Sequence, residues 1–165
     1  MKTKKPIYLS VLISLSLVLS YVEMLLPPIY PAIPGVKIGL ANIVIIFLLY
    51  KFSFKEAFLV SFLRVVLVSL LFGNAVLFVY SLCGAVLSLL FMALLKKTGR
   101  FSTVSVSVVG GVSHNLAQIA VAIILMQTPQ IGYYMTILAI SGTVSGIAVG
   151  IVSAYVLRYT KKLKM

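Results

Sequence analysis

The chain has 165 residues, of which 62% are hydrophobic and 10% are charged, with a mean hydropathy of +1.19. Soluble domains average about 45–50% apolar and about 25% charged residues, so this composition excludes a soluble domain and predicts one membrane domain over residues 1–165. The net charge of +12 arises from fourteen basic residues and two acids, Glu23 and Glu56.

The hydropathy pattern predicts six apolar segments, because a membrane helix needs roughly 20 mostly apolar residues. They cover residues 7–26, 36–50, 54–72, 75–95, 102–127 and 131–159. Short connections rich in proline, glycine or basic residues separate them, which predicts antiparallel neighbours. The fold class expected is therefore all-α and integral to the membrane, a bundle of six transmembrane helices. We expect the first segment to be a retained helix and not a cleaved signal peptide, because its apolar run is long.

Basic residues cluster at the two chain ends and in the second and fourth connections. They are Lys2, Lys4, Lys5, Lys51, Lys55, Lys96, Lys97, Arg100, Arg158, Lys161, Lys162 and Lys164. The positive-inside rule then predicts a multi-pass protein of the cell membrane with both termini in the cytoplasm. The same distribution explains the charge by contact with a lipid bilayer, so we expect no nucleic-acid partner.

Arg64 is the most unusual residue, because it lies near the middle of the third apolar segment. An arginine at that depth costs about 2.5–3.5 kcal/mol on insertion scales, so it must face the bundle interior. Two interpretations stay open: Arg64 binds an anionic ligand, or helix carbonyls and hydroxyls satisfy it. Asn42 in the second segment also needs a polar partner, either a ligand or another helix. With Gly35 and Gly39 it is predicted to share one helical face.

The fifth segment carries a polar strip, GGVSHNLAQ, over residues 110–118. His114 and Gln118 are four residues apart and share a face, with Asn115 beside them. The glycines that precede them permit close approach of a ligand or of another helix. The strip is therefore either a binding surface or a structural contact. A metal site is not expected, since no second histidine and no nearby cysteine accompany His114.

The remaining charged residues of the apolar segments have structural explanations. The Pro-rich connection would bring Glu23 and Lys37 together as an ion pair, or else either residue would contact a ligand directly. Glu56 is expected to be solvated at the cytoplasmic end of the third segment. The same connection predicts a lid over the mouth of the bundle, with Ile29 and Tyr30 as plugs, or else a plain connector.

Small residues mark two packing surfaces. Gly142, Gly146 and Gly150 follow a strict four-residue spacing, which lets helix backbones approach closely, inside the bundle or against a partner. Two serine pairs with the same spacing, Ser10 with Ser14 and Ser16 with Ser20, form a weaker version on the first segment.

Several runs together resemble a known family. They are PGVKIGLAN (34–42), FKEA (54–57), Arg64, LFG (71–73) and GGVSHNLAQ (110–118). The set resembles the Gx transporter family, often labelled heptaprenyl diphosphate synthase component I, which is similar to the substrate-binding S components of energy-coupling factor (ECF) transporters. The resemblance implies an S-component-like six-helix fold, an outward-opening ligand pocket, and a coupling transmembrane subunit with two ATPases as partners.

The leading hypothesis is therefore an S component of an ECF-type uptake transporter that captures a small molecule. Its ligand is expected to be anionic, or related to isoprenoids, quinones or flavins. The ligand contacts would come from Lys37, Asn42, Arg64, His114, Asn115 and Gln118. The alternatives are a membrane scaffold of a quinone, prenyl or electron-transfer system, and a stand-alone proton-coupled carrier. An enzyme is not expected, because two acids, one histidine and one cysteine, far apart in sequence, assemble no catalytic set, and we expect no cofactor.

Overall fold

A computed structural model describes residues 4–25 and 38–162 of the chain. These residues form six α-helices: α1 (Lys4–Leu25), α2 (Asn42–Lys51), α3 (Phe54–Phe72), α4 (Ala75–Thr98), α5 (Thr103–Met126) and α6 (Met135–Lys162). A 3₁₀ segment, Pro129–Tyr134, precedes α6. No strand occurs in the described ranges. The all-α fold class is confirmed, and α3 has the predicted bounds.

Local chemistry explains three of the helix ends. The side chain of Asn74 accepts a hydrogen bond from the Leu77 backbone N–H at 2.8 Å and begins α4. Ser102 accepts from the Ser105 N–H at 3.1 Å and begins α5. Such caps satisfy N–H groups that have no partner within the helix. Gly99 ends α4 with a φ of +67°, a conformation that glycine adopts without strain.

The predicted start of the second helix, residue 36, is wrong. Residues 38–41 are not helical, and α2 begins at Asn42. Gly39 has a φ of +77°, and its carbonyl accepts a hydrogen bond from the Asn42 N–H at 2.9 Å in a turn. A left-handed glycine cannot continue a right-handed helix, so Gly39 and Asn42 do not share a helical face as predicted. Gly35 lies outside the described residues.

Four helical segments are long and apolar enough to cross a membrane. They cover residues 5–25, 75–98, 103–126 and 129–160. Large apolar side chains cover their outer surfaces, for example Ile124 and Val144, which are 73% and 64% exposed. An apolar surface of this extent fits a bilayer, so the protein is a membrane protein. The α2 helix has only 10 residues, and α3 carries three charged residues. Six spans and cytoplasmic termini stay predictions.

The short α2 helix forms the centre of the bundle. Six consecutive residues, 44–49, are buried, and they pack with residues of α3, α4, α5 and α6 in the main hydrophobic core. A helix that is apolar on every side is buried on every side.

The predicted glycine surface of α6 packs inside the bundle, against α5. A Cβ atom placed on Gly146 would lie 2.7 Å from the Cα atom of Val108, and one on Gly150 would lie 2.8 Å from the Cα atom of Val104. A Cβ atom on Gly142 would lie 2.9 Å from the carbonyl oxygen of Gly111. We call this contact the α5–α6 seam. Its backbones approach so closely that only glycine fits on α6.

The predicted surface of α1 is divided. Ser10 and Ser14 are exposed, and their hydroxyls donate to the carbonyls four residues earlier, at 3.0 and 3.1 Å. Ser16 and Ser20 are buried instead. Ser10 and Ser14 thus face away from the bundle, where lipid or a partner would contact them.

Three contacts bring basic residues to one end of the bundle, which we call the basic end. Lys5 at the start of α1 pairs with Glu56 at the start of α3. Lys51 at the end of α2 donates to the Thr160 carbonyl of α6 at 3.0 Å, and Lys96 near the end of α4 donates to the last turn of α2. Glu56 also accepts a hydrogen bond from the Ser53 hydroxyl, so its carboxylate is paired while it stays partly exposed.

Candidate functional site

The described helices enclose a cavity of about 90 Å³. All six helices contribute to its lining, together with the turn before α2. It begins near the C-terminal end of α1 and the start of α2, which lie opposite the basic end, and reaches the middle of α5 and α6. The volume has room for several water molecules, since one water needs about 10–15 Å³ in this measure.

The structure brings five of the six predicted ligand contacts together on the lining of this cavity. They are Asn42, Arg64, His114, Asn115 and Gln118. Three different helices supply them, so their convergence is a property of the fold and not of local sequence. The sixth, Lys37, lies outside the described residues, as do the predicted lid residues Ile29 and Tyr30.

Arg64 projects from the middle of α3 into the cavity wall. Its Nε atom is buried and has no hydrogen-bond partner among the described residues. A buried guanidinium donor without an acceptor is costly, because it has lost its water without a replacement. Because Arg64 also lines the cavity, it brings a positive charge to whatever occupies that space.

Glu23, which was predicted to pair with Lys37 or to contact a ligand, is a cavity residue. It lines the cavity, accepts a hydrogen bond from the backbone N–H of Gly39, and is close enough to attract Arg64 electrostatically. The carboxylate thus fixes the turn before α2 to the end of α1. The predicted pair with Lys37 falls outside the described residues. The sequence feature that pointed to a role at the cavity is that Glu23 is the only acid of the chain away from the basic end.

The three predicted residues of α5 have different surroundings. The Asn115 side chain donates to the Leu138 carbonyl at 2.8 Å and to the Ser141 hydroxyl at 3.3 Å, so its amide group links α5 to α6. The His114 imidazole lies against the backbone of α4 at Gly84. Gln118 lines the cavity one turn further along, toward the end at which Glu23 lies.

The lining also contains hydroxyls and apolar groups that no motif indicated. Four serines from four helices contribute, and so do several large apolar residues. The serines are Ser20, Ser81, Ser107 and Ser145, and the apolar residues include Ile46, Val68, Met92 and Val149. The charged groups lie nearer the end opposite the basic end, and Met92 and Val149 lie deeper. The cavity is amphipathic.

This arrangement favours binding. The lining offers hydrogen-bond donors from a guanidinium, three side-chain amides and several hydroxyls, beside an apolar floor. Within the described ranges no three histidine, cysteine or acidic side chains cluster as metal ligands would. The two acids lie apart, Glu23 at the cavity and Glu56 at the basic end.

These features define a helical membrane protein with an amphipathic internal cavity. The chain belongs to the heptaprenyl diphosphate synthase component I family, whose model matches residues 12–156. The match includes all the cavity residues named above. No curated protein and no solved structure shows a significant match to the chain.

Proposed function

We propose that this chain is the membrane-embedded substrate-binding component of an ECF-type uptake transporter. In this proposal the cavity binds a small molecule that presents an anionic or hydrogen-bond-accepting group to Arg64. The observation that carries it is Arg64, which lines a cavity together with further donors and whose buried Nε has no acceptor among the described residues. Because a guanidinium is rigid and always charged, it suits recognition of a carboxylate or phosphate oxygen.

The position of the cavity supports capture from outside. Lys5, Lys51 and Lys96 lie at the basic end, which the positive-inside rule assigns to the cytoplasm. Glu23 and Asn42 lie toward the opposite end of the bundle, and the cavity begins there. A ligand from the outer side would therefore reach Arg64 without crossing the core formed by α2.

The energy for uptake would come from partners. The sequence has no G-x-x-x-x-G-K-[ST] phosphate-binding loop, so ATP hydrolysis would belong to separate ATPases acting through a coupling transmembrane subunit. The exposed, apolar α1 surface around Ser10 and Ser14 is available for such a subunit. We assign the chain a binding role and no catalytic one, because Glu56 is paired at the basic end and Glu23 holds the turn before α2.

Substitution of Arg64 tests the proposal. The wild-type chain and Arg64→Met are purified from the native membrane in mild detergent, and released small molecules are identified by mass spectrometry. We expect the variant to fold and to lose a molecule that the wild type retains, by about tenfold or more, since a hydrogen bond to a charged group contributes about 1.5–3 kcal/mol. Lys55→Met is the matched control, because it removes an exposed positive charge from the same helix.

Two results would contradict the proposal. One is equal retention of the same molecules by Arg64→Met and wild type. The other is loss of the folded protein in both Arg64→Met and Arg64→Lys, which would make Arg64 a structural residue.

A membrane scaffold is the second candidate, and the family name favours it, because "component I" of a synthase denotes one part of a multi-subunit system. A scaffold would co-purify with prenyl, quinone or redox enzymes and would retain no small molecule in the cavity. The substrate-binding component would co-purify with ATPases.

A further inference from the structure

Gly84, in the middle of α4, is a residue to which no function has been assigned above. A Cβ atom placed on it would lie 2.8 Å from Cε1, 2.9 Å from Nδ1 and 3.0 Å from Nε2 of His114. All three of the nearest atoms thus belong to one imidazole ring. Real Cβ atoms keep about 3.5–4.0 Å from their neighbours, so the ring occupies space that any side chain at position 84 would need.

Helix formation does not explain this glycine. Glycine is the poorest helix former after proline, and Gly84 has ordinary helical surroundings ten residues from the start of α4. It is buried, and the contact that requires it is the one with His114. The residue is therefore retained at a cost to the helix, and the space it leaves is filled by the imidazole.

The position of His114 matters for the cavity, because the same imidazole belongs to a residue of its lining. With Gly84 opposite, the ring is recessed into the contact between α4 and α5. With a methyl group there, the ring would have to move by about 0.5–1 Å to restore an ordinary contact distance of about 3.5–4.0 Å. The cavity measures only about 90 Å³, so a shift of this size changes what it can hold.

We propose that Gly84 is a positioning residue of the binding site: it holds His114 back from the cavity and so sets the width of the site beside Arg64. This inference rests on the proposed function. The site then favours a ligand that fills the cavity beside the recessed imidazole. A methyl group added at position 84 would weaken the binding of such a ligand. Gly84 itself acts through His114 and does not line the cavity.

His114 is the only histidine of the chain, which makes its position directly measurable. The full-length chain is labelled with ¹³C,¹⁵N-histidine and purified in detergent, and its imidazole NMR signals are recorded for wild type, Gly84→Ala and Gly132→Ala. Gly132→Ala is the matched control, because its Cβ atom would meet only Ile123 Cδ1, at an ordinary 3.7 Å. We expect Gly84→Ala to shift the imidazole signals and Gly132→Ala to leave them unchanged.

Small-molecule retention, measured by mass spectrometry, is the second readout. We expect Gly84→Ala to retain the co-purifying molecule about 10- to 200-fold less well, the range for one misplaced methyl or methylene in a pocket. Unchanged imidazole signals would overturn the inference. So would shifted signals with undiminished retention, since Gly84 would then serve packing alone. If wild type retains no molecule, the proposed function fails, whereas the imidazole shift still decides whether Gly84 positions His114.

Thermal unfolding of a double variant keeps the inference testable even if Gly84→Ala folds poorly. The obstacle at Gly84 is a side chain, so Gly84→Ala combined with His114→Ala should recover the melting temperature lost in Gly84→Ala. A double variant that melts no higher than Gly84→Ala would overturn the inference, because the clash would then lie elsewhere.

Discussion

The α5–α6 seam predicts that Gly146→Ala destabilises the protein by about 2 kcal/mol. The new Cβ atom would lie 2.7 Å from the Cα atom of Val108, 3.1 Å from the Ser107 carbonyl oxygen and 3.2 Å from the Val108 nitrogen. All three are backbone atoms, so no rotamer change relieves the overlap and the helices must separate. Overpacking costs about 1–3 kcal/mol. We take the upper part of that range, less about 1 kcal/mol for the better helix propensity of alanine.

The assay is unfolding in mixed micelles of increasing SDS fraction, followed by circular dichroism. Gly132→Ala is the control, and we expect it to stay within about 0.5 kcal/mol of wild type. Adding Val108→Ala to Gly146→Ala should not restore stability. The atom of Val108 that the new methyl group meets is its Cα, which alanine also has. Wild-type stability of Gly146→Ala, or rescue by Val108→Ala, would refute the close approach of the two backbones.

Two further predictions separate structural residues from binding residues. Lys96→Met should lower the free energy of unfolding by about 1–2 kcal/mol, because Lys96 donates to a carbonyl of α2 and its Nζ atom lies 5.3 Å from the centroid of the Tyr50 ring. Lys97 is exposed, so Lys97→Met should leave the free energy of unfolding unchanged. Equal effects of the two substitutions in SDS unfolding would contradict this prediction. Asn115→Ala should lower stability by about 1–2 kcal/mol through its lost hydrogen bonds to α6, whereas Gln118→Ala should keep stability and reduce retention of the co-purifying molecule. The reverse pattern would show that the ligand contact is Asn115.

Hydropathy predicted most of the fold because the helices are long apolar runs between strong end signals. Asn74, Gly99 and Ser102 mark helix ends that can be predicted from the sequence alone. The start of α2 could not be predicted from the sequence. A glycine at position 39 could also belong to a helix, and only its φ angle in the structure shows that it does not. Glycine in an apolar run gives no indication of whether it packs a helix or ends one.

Much of the candidate site could be predicted for a related reason. Polar residues within apolar helices have only the bundle interior to face, so Asn42, Arg64 and Gln118 had to converge. The bond of Glu23 to Gly39 and the contribution of Gly84 were not predictable, because each depends on which part of the chain lies opposite. Glu23 meets Gly39 across the connection between α1 and α2, and the space at Gly84 has meaning only when the ring of His114 fills it.

The central claim is that the chain captures a small molecule for an ATP-driven transporter. It is tested most directly by purifying the chain from its native membrane in mild detergent and identifying the proteins bound to it by mass spectrometry. We predict recovery of two ATPases and a coupling membrane subunit. Recovery of prenyl, quinone or redox enzymes in their place would contradict the transporter function.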